Sequence, residues 1–141
     1  MLGTIKMSQS LYHLVEDLVE ADNSYKNINI SGIKIDSNKV LPGDLFIAVP
    51  GANFDGHDYI KQAIRNGARA IVTNGRDMDI NPIPQIKVAN PRKAVSVVSS
   101  KLFNNPSKNI TVIGITGTNG KTTTAYLITN ALNKAGYKTA Q

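Results

Sequence analysis

The segment GITGTNGKTTTAY, Gly114–Tyr126, lies close to the end of a chain of 141 residues and decides the predicted fold of that part. The stretch ITVIGI, Ile110–Ile115, is largely apolar and β-branched, which is typical of a strand buried on both faces. After the loop, small and apolar side chains recur at helical spacing: Ala125, Ile128, Ala131, Leu132 and Ala135. Gly136 follows, where a left-handed residue is expected to end the helix. The segment therefore predicts a strand, a tight loop and a helix, in that order.

A loop of this kind predicts a phosphate-binding site. Gly117 and Gly120 let the backbone turn with its N–H groups pointing inward, and the start of the helix adds a partial positive charge. Lys121 is expected to place its ammonium on the terminal phosphates of a nucleotide, and the Thr122 hydroxyl is expected to coordinate Mg²⁺. The predicted nucleotide-binding residues are Gly117, Thr118, Asn119, Gly120, Lys121, Thr122 and Thr123.

The match to the general phosphate-loop pattern G-x-x-x-x-G-K-[ST] is incomplete. The pattern requires glycine at position 115, where this chain has Ile115, and Gly114 comes one place too early. A plain alternative also exists, because Gly-Lys-Thr can open a helix by chance and threonines in a first turn are ordinary capping residues.

The sequence TGTNGKTT with this shifted glycine resembles the Mur ligases, ATP-dependent enzymes that add amino acids to the cell-wall precursor UDP-N-acetylmuramic acid. The stretch DSNKVLPGDLFIAVPGANFDGHDYIKQAIRNGARAIV, Asp36–Val72, resembles the N-terminal domain of the same family. Together they are most similar to the members that add the third residue, diaminopimelate or lysine. The relative that adds D-alanyl-D-alanine usually has serine in place of Thr118, and it remains an alternative. Asn38 departs from the family, which usually has arginine there.

The resemblance implies two ligands for this chain. ATP and Mg²⁺ would bind the phosphate loop, with Thr122 as the metal ligand. The UDP part of the substrate, UDP-N-acetylmuramoyl dipeptide, would bind the first domain through Ile35, Ser37, Ala52, Asn53 and Phe54. These residue types suit that role, since serine and asparagine offer polar groups and phenylalanine offers a flat apolar face. The alternative is that both stretches are turns, with Asp55 capping the next helix.

In the reaction that the resemblance implies, the acceptor carboxylate attacks ATP to give an acyl phosphate, which the amine of the third amino acid then displaces. The remaining machinery, including all catalytic residues and the amino-acid site, is expected beyond Gln141, so this chain alone is expected to be inactive. Its helix would then expose Leu127, Ile128, Ala131 and Leu132, through which the chain could self-associate. Two other functions stay open, a non-catalytic module that binds UDP-sugar or nucleotide and an unrelated NTPase.

Composition agrees with an intracellular enzyme. Hydrophobic residues make up 41% and charged residues 18%, which provides a core and argues against disorder. The absence of cysteine excludes disulfides and thiolate metal sites. No run approaches a membrane span, and the first ten residues, MLGTIKMSQS, lack the apolar core of a signal peptide, so we expect a cytoplasmic location. The net charge of +6 comes from scattered lysines, which favours an anionic small substrate over nucleic acid.

The chain is predicted to be α/β, with a small first domain over residues 1–107 and the first strand, loop and helix of a truncated ATP-binding domain over residues 108–141. Ser8 or Ser10 is expected to cap a first helix, and Asn90-Pro91 is expected to open another. Short apolar stretches at 45–49, 70–72 and 85–88 predict strands, with a helix that Gly67 ends between the first two. In INISGIKI, the apolar residues change phase, which predicts a bulge at Ser31-Gly32.

Two histidines complete the candidates. His57 follows Asp55-Gly56 and stands next to Asp58, which resembles an acid–base pair, but a surface position in a helix cap is the preferred interpretation. His13 is expected to lie on a solvated helix face.

Overall fold

The computed structural model describes residues 8–52 and 54–141. The chain forms two compact units, of which the first ends at Pro106 and the second begins at Ser107. The strands are β1 (Gln9–Ser10), β2 (Asn29–Ile30), β3 (Gly32–Lys34), β4 (Asp44–Ile47), β5 (Ala70–Thr73) and β6 (Gln85–Lys87). The α-helices are α1 (Leu11–Val15), α2 (Ile60–Arg65), α3 (Pro91–Leu102) and α4 (Lys121–Lys134). Single turns of 3-10 helix cover Asn23–Asn27, Ser37–Lys39, Gly56–Tyr59 and Pro106–Lys108.

The first unit is built on a parallel sheet of four strands in the order β3-β4-β5-β6. The register places Ile33 opposite Leu45, Phe46 opposite Ile71 and Val72 opposite Ile86. Since all four strands run in the same direction, the loops that follow them emerge at one edge of the sheet. A separate antiparallel pair joins β1 to β2.

Both faces of the sheet are buried, as a parallel sheet requires. Leu45 and Ile47 of β4 face one hydrophobic cluster, which also contains Leu14 of α1 and Val98 of α3. Phe46, which alternates with them, faces a second cluster formed with α2. The continuous apolar strands seen in the sequence thus supply two opposite layers of core. The α/β class is confirmed.

Several local predictions are confirmed in the first unit. The Ser10 side chain accepts a hydrogen bond from the His13 amide and caps α1. The Asn90 side chain caps α3 by accepting from the Lys93 amide, and Pro91 occupies its first turn.

The bulge predicted at Ser31-Gly32 is wrong. Asn29–Ile30 and Gly32–Lys34 are two strands in two different sheets, so no single strand continues across Ser31. The Ser31 amide donates to the Gly43 carbonyl oxygen at 3.0 Å, and Gly32 then begins the parallel pairing with β4. The change of phase in the sequence therefore marks a change of sheet.

In the second unit the predicted helix is present as α4, and none of its residues is buried. This confirms the expected partial exposure of Leu127, Ile128, Ala131 and Leu132. Gly136 ends the helix in the left-handed region, as predicted. The buried strand predicted over 110–115 is wrong, because that segment belongs to no sheet and Ile110 is exposed. Its β-branched sequence forms no ladder, because no strand among the described residues pairs with it.

Candidate functional site

The predicted phosphate loop leads directly into α4. Gly117 has a φ of 147° and Gly120 a φ of 76°, both in the region that side chains disfavour. Gly120 is the N-cap of α4, and no side chain caps the helix there. The first N–H groups of a helix have no partner within the helix, so those of α4 are available to an acceptor at the loop. This uncapped helix start after a left-handed glycine fits an anionic ligand.

The Lys121 side chain folds back over this loop. Its Nζ donates to the Gly117 carbonyl oxygen at 2.6 Å and lies 3.5 Å from that of Thr118. Lys121 and Thr122 are exposed, as are Thr118, Asn119 and Thr123. All seven predicted nucleotide-binding residues therefore lie on the loop and the first turn of α4, and all seven are exposed to solvent.

The charge of this segment suits an anionic ligand. Residues 107–141 contain four lysines, no arginine and no aspartate or glutamate. The negative charge of a nucleoside triphosphate suits both the positive charge of these lysines and the uncapped start of α4. Mg²⁺ fits in part, since Thr122 offers an exposed hydroxyl but no carboxylate stands in this segment, and Mg²⁺ commonly takes phosphate oxygens and waters as further ligands.

The second candidate site lies on the first unit, where the chain leaves β3 and β4. Ile35 and Ser37 follow β3, and Ala52 and Phe54 follow β4. Because the two strands are parallel neighbours, these residues belong to the same edge of the sheet. Ile35 is 58% exposed and Phe54 is 72% exposed, so two large apolar side chains face solvent there. Asn53, the fifth predicted residue, lies outside the described residues.

Ser37 differs from the other members of this set because it is only 4% exposed. Its Oγ donates to Gln62 Oε1 at 3.0 Å, so its proton is held inside the protein. Gln62 also donates through Nε2 to Asn38 Oδ1 at 2.8 Å. Asn38, where the resemblance led us to expect arginine, is thereby tied to α2. Ser37 is therefore buried at this edge, and its hydrogen bond to Gln62 links the backbone after β3 to α2.

The loop between β4 and α2 is closed by its own backbone. The Gly51 amide donates to the Phe54 carbonyl oxygen at 2.8 Å, and Pro50 and Asp55 form an antiparallel bridge. The Gly56 amide donates to the Val49 carbonyl oxygen at 3.2 Å. These contacts bring residues 50–52 and 54–55 side by side, and we call these two short segments, which carry Ala52 and Phe54, the edge hairpin.

Asp55 anchors one limb of the edge hairpin. Its Oδ1 accepts from the His57 amide at 3.0 Å and lies 2.6 Å from His57 Nδ1, and its Oδ2 accepts from Arg76 Nη1 at 2.8 Å. The His57 amide and imidazole, with the Arg76 charge, hold the pKa of Asp55 below its ordinary value of 3.8, at about 2. The capping role expected for Asp55 is confirmed.

The surface position expected for His57 is wrong, since its side chain is buried. His57 Nε2 accepts a hydrogen bond from the Asn74 amide at 3.2 Å, which assigns the proton to Nδ1, facing Asp55. The ring thus joins the edge hairpin to the loop after β5. It has no open path to a substrate, which argues against an acid–base role. The sequence Asp55-Gly56-His57 predicts that Asp55 caps the turn, but it does not predict the hydrogen bond between His57 and Asn74.

The other limb of the edge hairpin has an anchor that sequence reasoning missed. Arg92, in the first turn of α3, donates from Nη2 to the Pro50 carbonyl oxygen at 3.0 Å. The two residues are 42 positions apart, so no local pattern could reveal this contact.

A comparison with protein families gives a match over residues 29–117 to the profile described as "Mur ligase family, catalytic domain". The matched range includes the whole parallel sheet, the edge hairpin and the first glycine of the phosphate loop. The chain belongs to the Mur ligase family. The resemblance inferred from TGTNGKTT and from residues 36–72 is thereby confirmed.

Similar proteins support this assignment. The UDP-N-acetylmuramoyl-L-alanyl-D-glutamate--2,6-diaminopimelate ligase of Clostridium botulinum is 47% identical over 77% of this chain and 23% of its own. The UDP-N-acetylmuramyl-tripeptide synthetase of Borreliella afzelii is 42% identical over 94% of this chain and 27% of its own. The crystal structure of the MurF ligase of Thermotoga maritima in complex with ADP has a TM-score of 0.57 and 38% identity, over 72% of this chain and 23% of that one.

The chain spans about a quarter of the length of the curated relatives it matches. Among the described residues, the longest helix is α4 with 14 residues, and no helix combines the length and the apolar character needed to cross a membrane.

Proposed function

We propose that this Mur ligase chain is part of an ATP-dependent ligase of peptidoglycan synthesis. The proposed reaction adds the third amino acid, diaminopimelate or lysine, to UDP-N-acetylmuramoyl-L-alanyl-D-glutamate. The names of the relatives from Clostridium botulinum and Borreliella afzelii support this substrate. The observation that carries the proposal is the phosphate loop at the start of α4, uncapped and lysine-bearing, on a chain of this family. A cytoplasmic location belongs to the same proposal.

ATP is proposed to bind residues 117–123. The N–H groups of the first turn of α4 would receive phosphate oxygens, and Lys121 would move its ammonium from the Gly117 carbonyl oxygen to the terminal phosphates. Thr122 would offer its hydroxyl to Mg²⁺, which neutralises charge on the transferred phosphoryl group when bound. The ADP in the related MurF structure supports a nucleotide as the ligand.

The first unit is proposed to bind the uridine end of the substrate at the sheet edge. Phe54 offers an exposed ring on which a base can stack, and Ile35 offers an apolar contact at the neighbouring strand end. Ala52 and Asn53 would complete the surface. Ser37 would support this surface indirectly by linking its backbone to Gln62, since the Ser37 hydroxyl proton is already donated to that residue. The functional division is proposed to follow the predicted domains, 1–107 for substrate and 108–141 for ATP.

The proposed chemistry is transfer of the γ-phosphoryl group of ATP to the acceptor carboxylate, which releases ADP, followed by attack of the amino group of the incoming amino acid on the acyl phosphate, which releases inorganic phosphate. Residues 1–141 are proposed to bind ligands without carrying out this reaction. Residues 107–141 contain no carboxylate side chain to hold a metal and no histidine to act as a base, which supports this expectation.

A second candidate is the ligase that adds D-alanyl-D-alanine, favoured by the similarity to a MurF structure and disfavoured by Thr118, where that branch usually has serine. A third is a module that binds the same ligands without a catalytic role. Self-association through the exposed face of α4 is also proposed, because Leu127 and Ile128 lack burial. Light scattering on a size-exclusion column tests it, and a monomer at high concentration would contradict it.

Calorimetric titration with Mg-ATP tests the phosphate loop. Lys121→Ala is expected to weaken binding by at least about tenfold, since a charge-assisted contact to phosphate is lost. The matched control is Lys134→Ala, which removes the same charge at the other end of α4. Equal affinity of wild type and Lys121→Ala would refute the assignment of the loop.

A further inference from the structure

The contact between Arg92 and the edge hairpin joins a rigid element to an exposed loop. Helix α3 is fixed on the sheet, since Ala94 and Val98 are fully buried in the core and Pro91 at its start is buried as well. Arg92 projects from this first turn, and its Nη2 reaches the Pro50 carbonyl oxygen at 3.0 Å. A guanidinium is planar and permanently charged, so on a fixed helix it defines the position of the carbonyl oxygen it binds.

The two limbs of the edge hairpin are held by different groups. The limb after Phe54 is held by Asp55, which binds His57 and Arg76. On the limb before Ala52, Pro50 has no N–H to donate, so its carbonyl oxygen is the group through which the backbone of that residue can be tied. Arg92 supplies the donor. Each limb thus has one arginine on it, from two different segments of the chain.

We propose that Arg92 is a positioning residue for the substrate, because it holds the limb Pro50–Ala52 and so pre-forms the surface that presents Phe54. The inference rests on the proposed function, which assigns this surface to the uridine end of the substrate. Arg92 is exposed, so its hydrogen bond adds little to the stability of the fold. Its effect is on affinity, because a loop that is already ordered loses less conformational entropy when the ligand binds.

Calorimetric titration with UDP-N-acetylmuramoyl-L-alanyl-D-glutamate tests the inference on Arg92→Gln and Arg92→Lys. We expect Arg92→Gln to weaken binding about tenfold, which corresponds to roughly 1.4 kcal/mol. Arg92→Lys is expected to restore part of the loss, since an ammonium can still donate to the Pro50 carbonyl oxygen. Lys93→Gln is the matched control, because it removes the same charge from the same helical turn and leaves the Arg92 contact in place. The affinity for Mg-ATP should not change in any variant.

Hydrogen exchange of the Gly51 amide, without ligand, separates positioning from direct contact with substrate. This amide is bonded to the Phe54 carbonyl oxygen, so its exchange reports whether the edge hairpin is closed. Faster exchange in Arg92→Gln, with wild-type exchange in Lys93→Gln, supports the inference. Weaker substrate binding with unchanged exchange would mean that Arg92 contacts the substrate itself, and it would overturn the inference.

The same pair of measurements separates this inference from the proposed function. If the wild-type chain does not bind the UDP precursor, the uridine site is refuted, while exchange at Gly51 still decides whether Arg92 holds the limb. If the wild type binds and Arg92→Gln binds equally well, the uridine site stands and the role of Arg92 is refuted.

Discussion

Replacing Asp55 by asparagine should destabilise the first unit at neutral pH. The Asp55 carboxylate accepts hydrogen bonds from the His57 amide at 3.0 Å and from Arg76 at 2.8 Å, and it lies 2.6 Å from the His57 ring. Asparagine keeps an oxygen for the His57 amide but loses the charge. That oxygen, in the place of Oδ1, can still accept from the His57 ring, but the NH₂ group in the place of Oδ2 cannot accept a hydrogen bond from Arg76.

The size of the effect follows from the pKa of Asp55, which the fold lowers from 3.8 to about 2. Each pK unit corresponds to about 1.4 kcal/mol of stability. Because the Asp55 side chain is 26% exposed, solvent screening reduces the expected loss of stability to roughly 1 to 2 kcal/mol. For a unit of this size the loss corresponds to a fall in melting temperature of roughly 5 to 15 °C.

The pH dependence distinguishes this charge effect from a change in packing. A carboxylate with a lowered pKa stabilises the fold fully above its unfolded value, and the contribution disappears as the pH falls through the folded value. The difference in stability between wild type and Asp55→Asn should therefore be constant from pH 7 to pH 5 and shrink from about pH 4 towards pH 2.

Urea unfolding followed by circular dichroism at each pH measures this difference. Asp58→Asn is the matched control, because Asp58 is an exposed carboxylate in the same 3-10 turn, and its removal should change stability by less than about 0.5 kcal/mol. A difference that is the same at pH 7 and pH 3, or an equal loss in Asp58→Asn, would show that the Asp55 charge is not the cause.

Three further predictions concern the first unit. Val98→Ala removes two fully buried methyl groups and should cost about 2 kcal/mol in urea unfolding; a loss below about 0.5 kcal/mol would contradict the observed core. Gly67→Ala should lower the free energy of unfolding by about 2 kcal/mol or more, because Gly67 has a φ of 103° and a Cβ there would lie 2.8 Å from a backbone carbon. Gly75→Ala is the control, since Gly75 has a φ of 92° but open space around it, and its loss of stability should be smaller. Equal losses in the two variants would contradict the prediction. Lys101→Met should raise the pKa of Glu16 towards its ordinary value of 4.5, because the hydrogen bond from Lys101 at 3.2 Å is the main cause of its lowering. An NMR titration measures this pKa, and a value equal to that of the wild type would contradict the prediction.

Features that depend on neighbours within a few residues could be predicted from the sequence. Ser10 and Asn90 cap helices by binding an amide three residues ahead, and Asp55 caps by binding one two residues ahead. The start of α4 directly after Gly120 follows from the same local chemistry. Such features need no knowledge of the tertiary structure, which explains why the predictions were correct.

Features that depend on distant partners could not be predicted. The Ser37 hydroxyl donates to Gln62, which is 25 residues away, so a side chain expected to contact the substrate is buried. His57 accepts from the Asn74 amide across 17 residues, and the same argument applies. The stretch 110–115 has a strand sequence, but strand formation requires a partner strand, and the sequence of one segment cannot supply it.

We propose that this chain carries two ligand sites, a uridine site at the sheet edge of the first unit and a phosphate loop before α4 in the second. Calorimetric titration with UDP-N-acetylmuramoyl-L-alanyl-D-glutamate tests it most directly, on wild type, Phe54→Ala and Lys121→Ala. We expect binding that Phe54→Ala weakens and Lys121→Ala leaves unchanged, with Phe103→Ala, another exposed phenylalanine, as the control. No binding by the folded wild-type chain, or equal loss in Phe54→Ala and Lys121→Ala, would contradict the proposal of two sites.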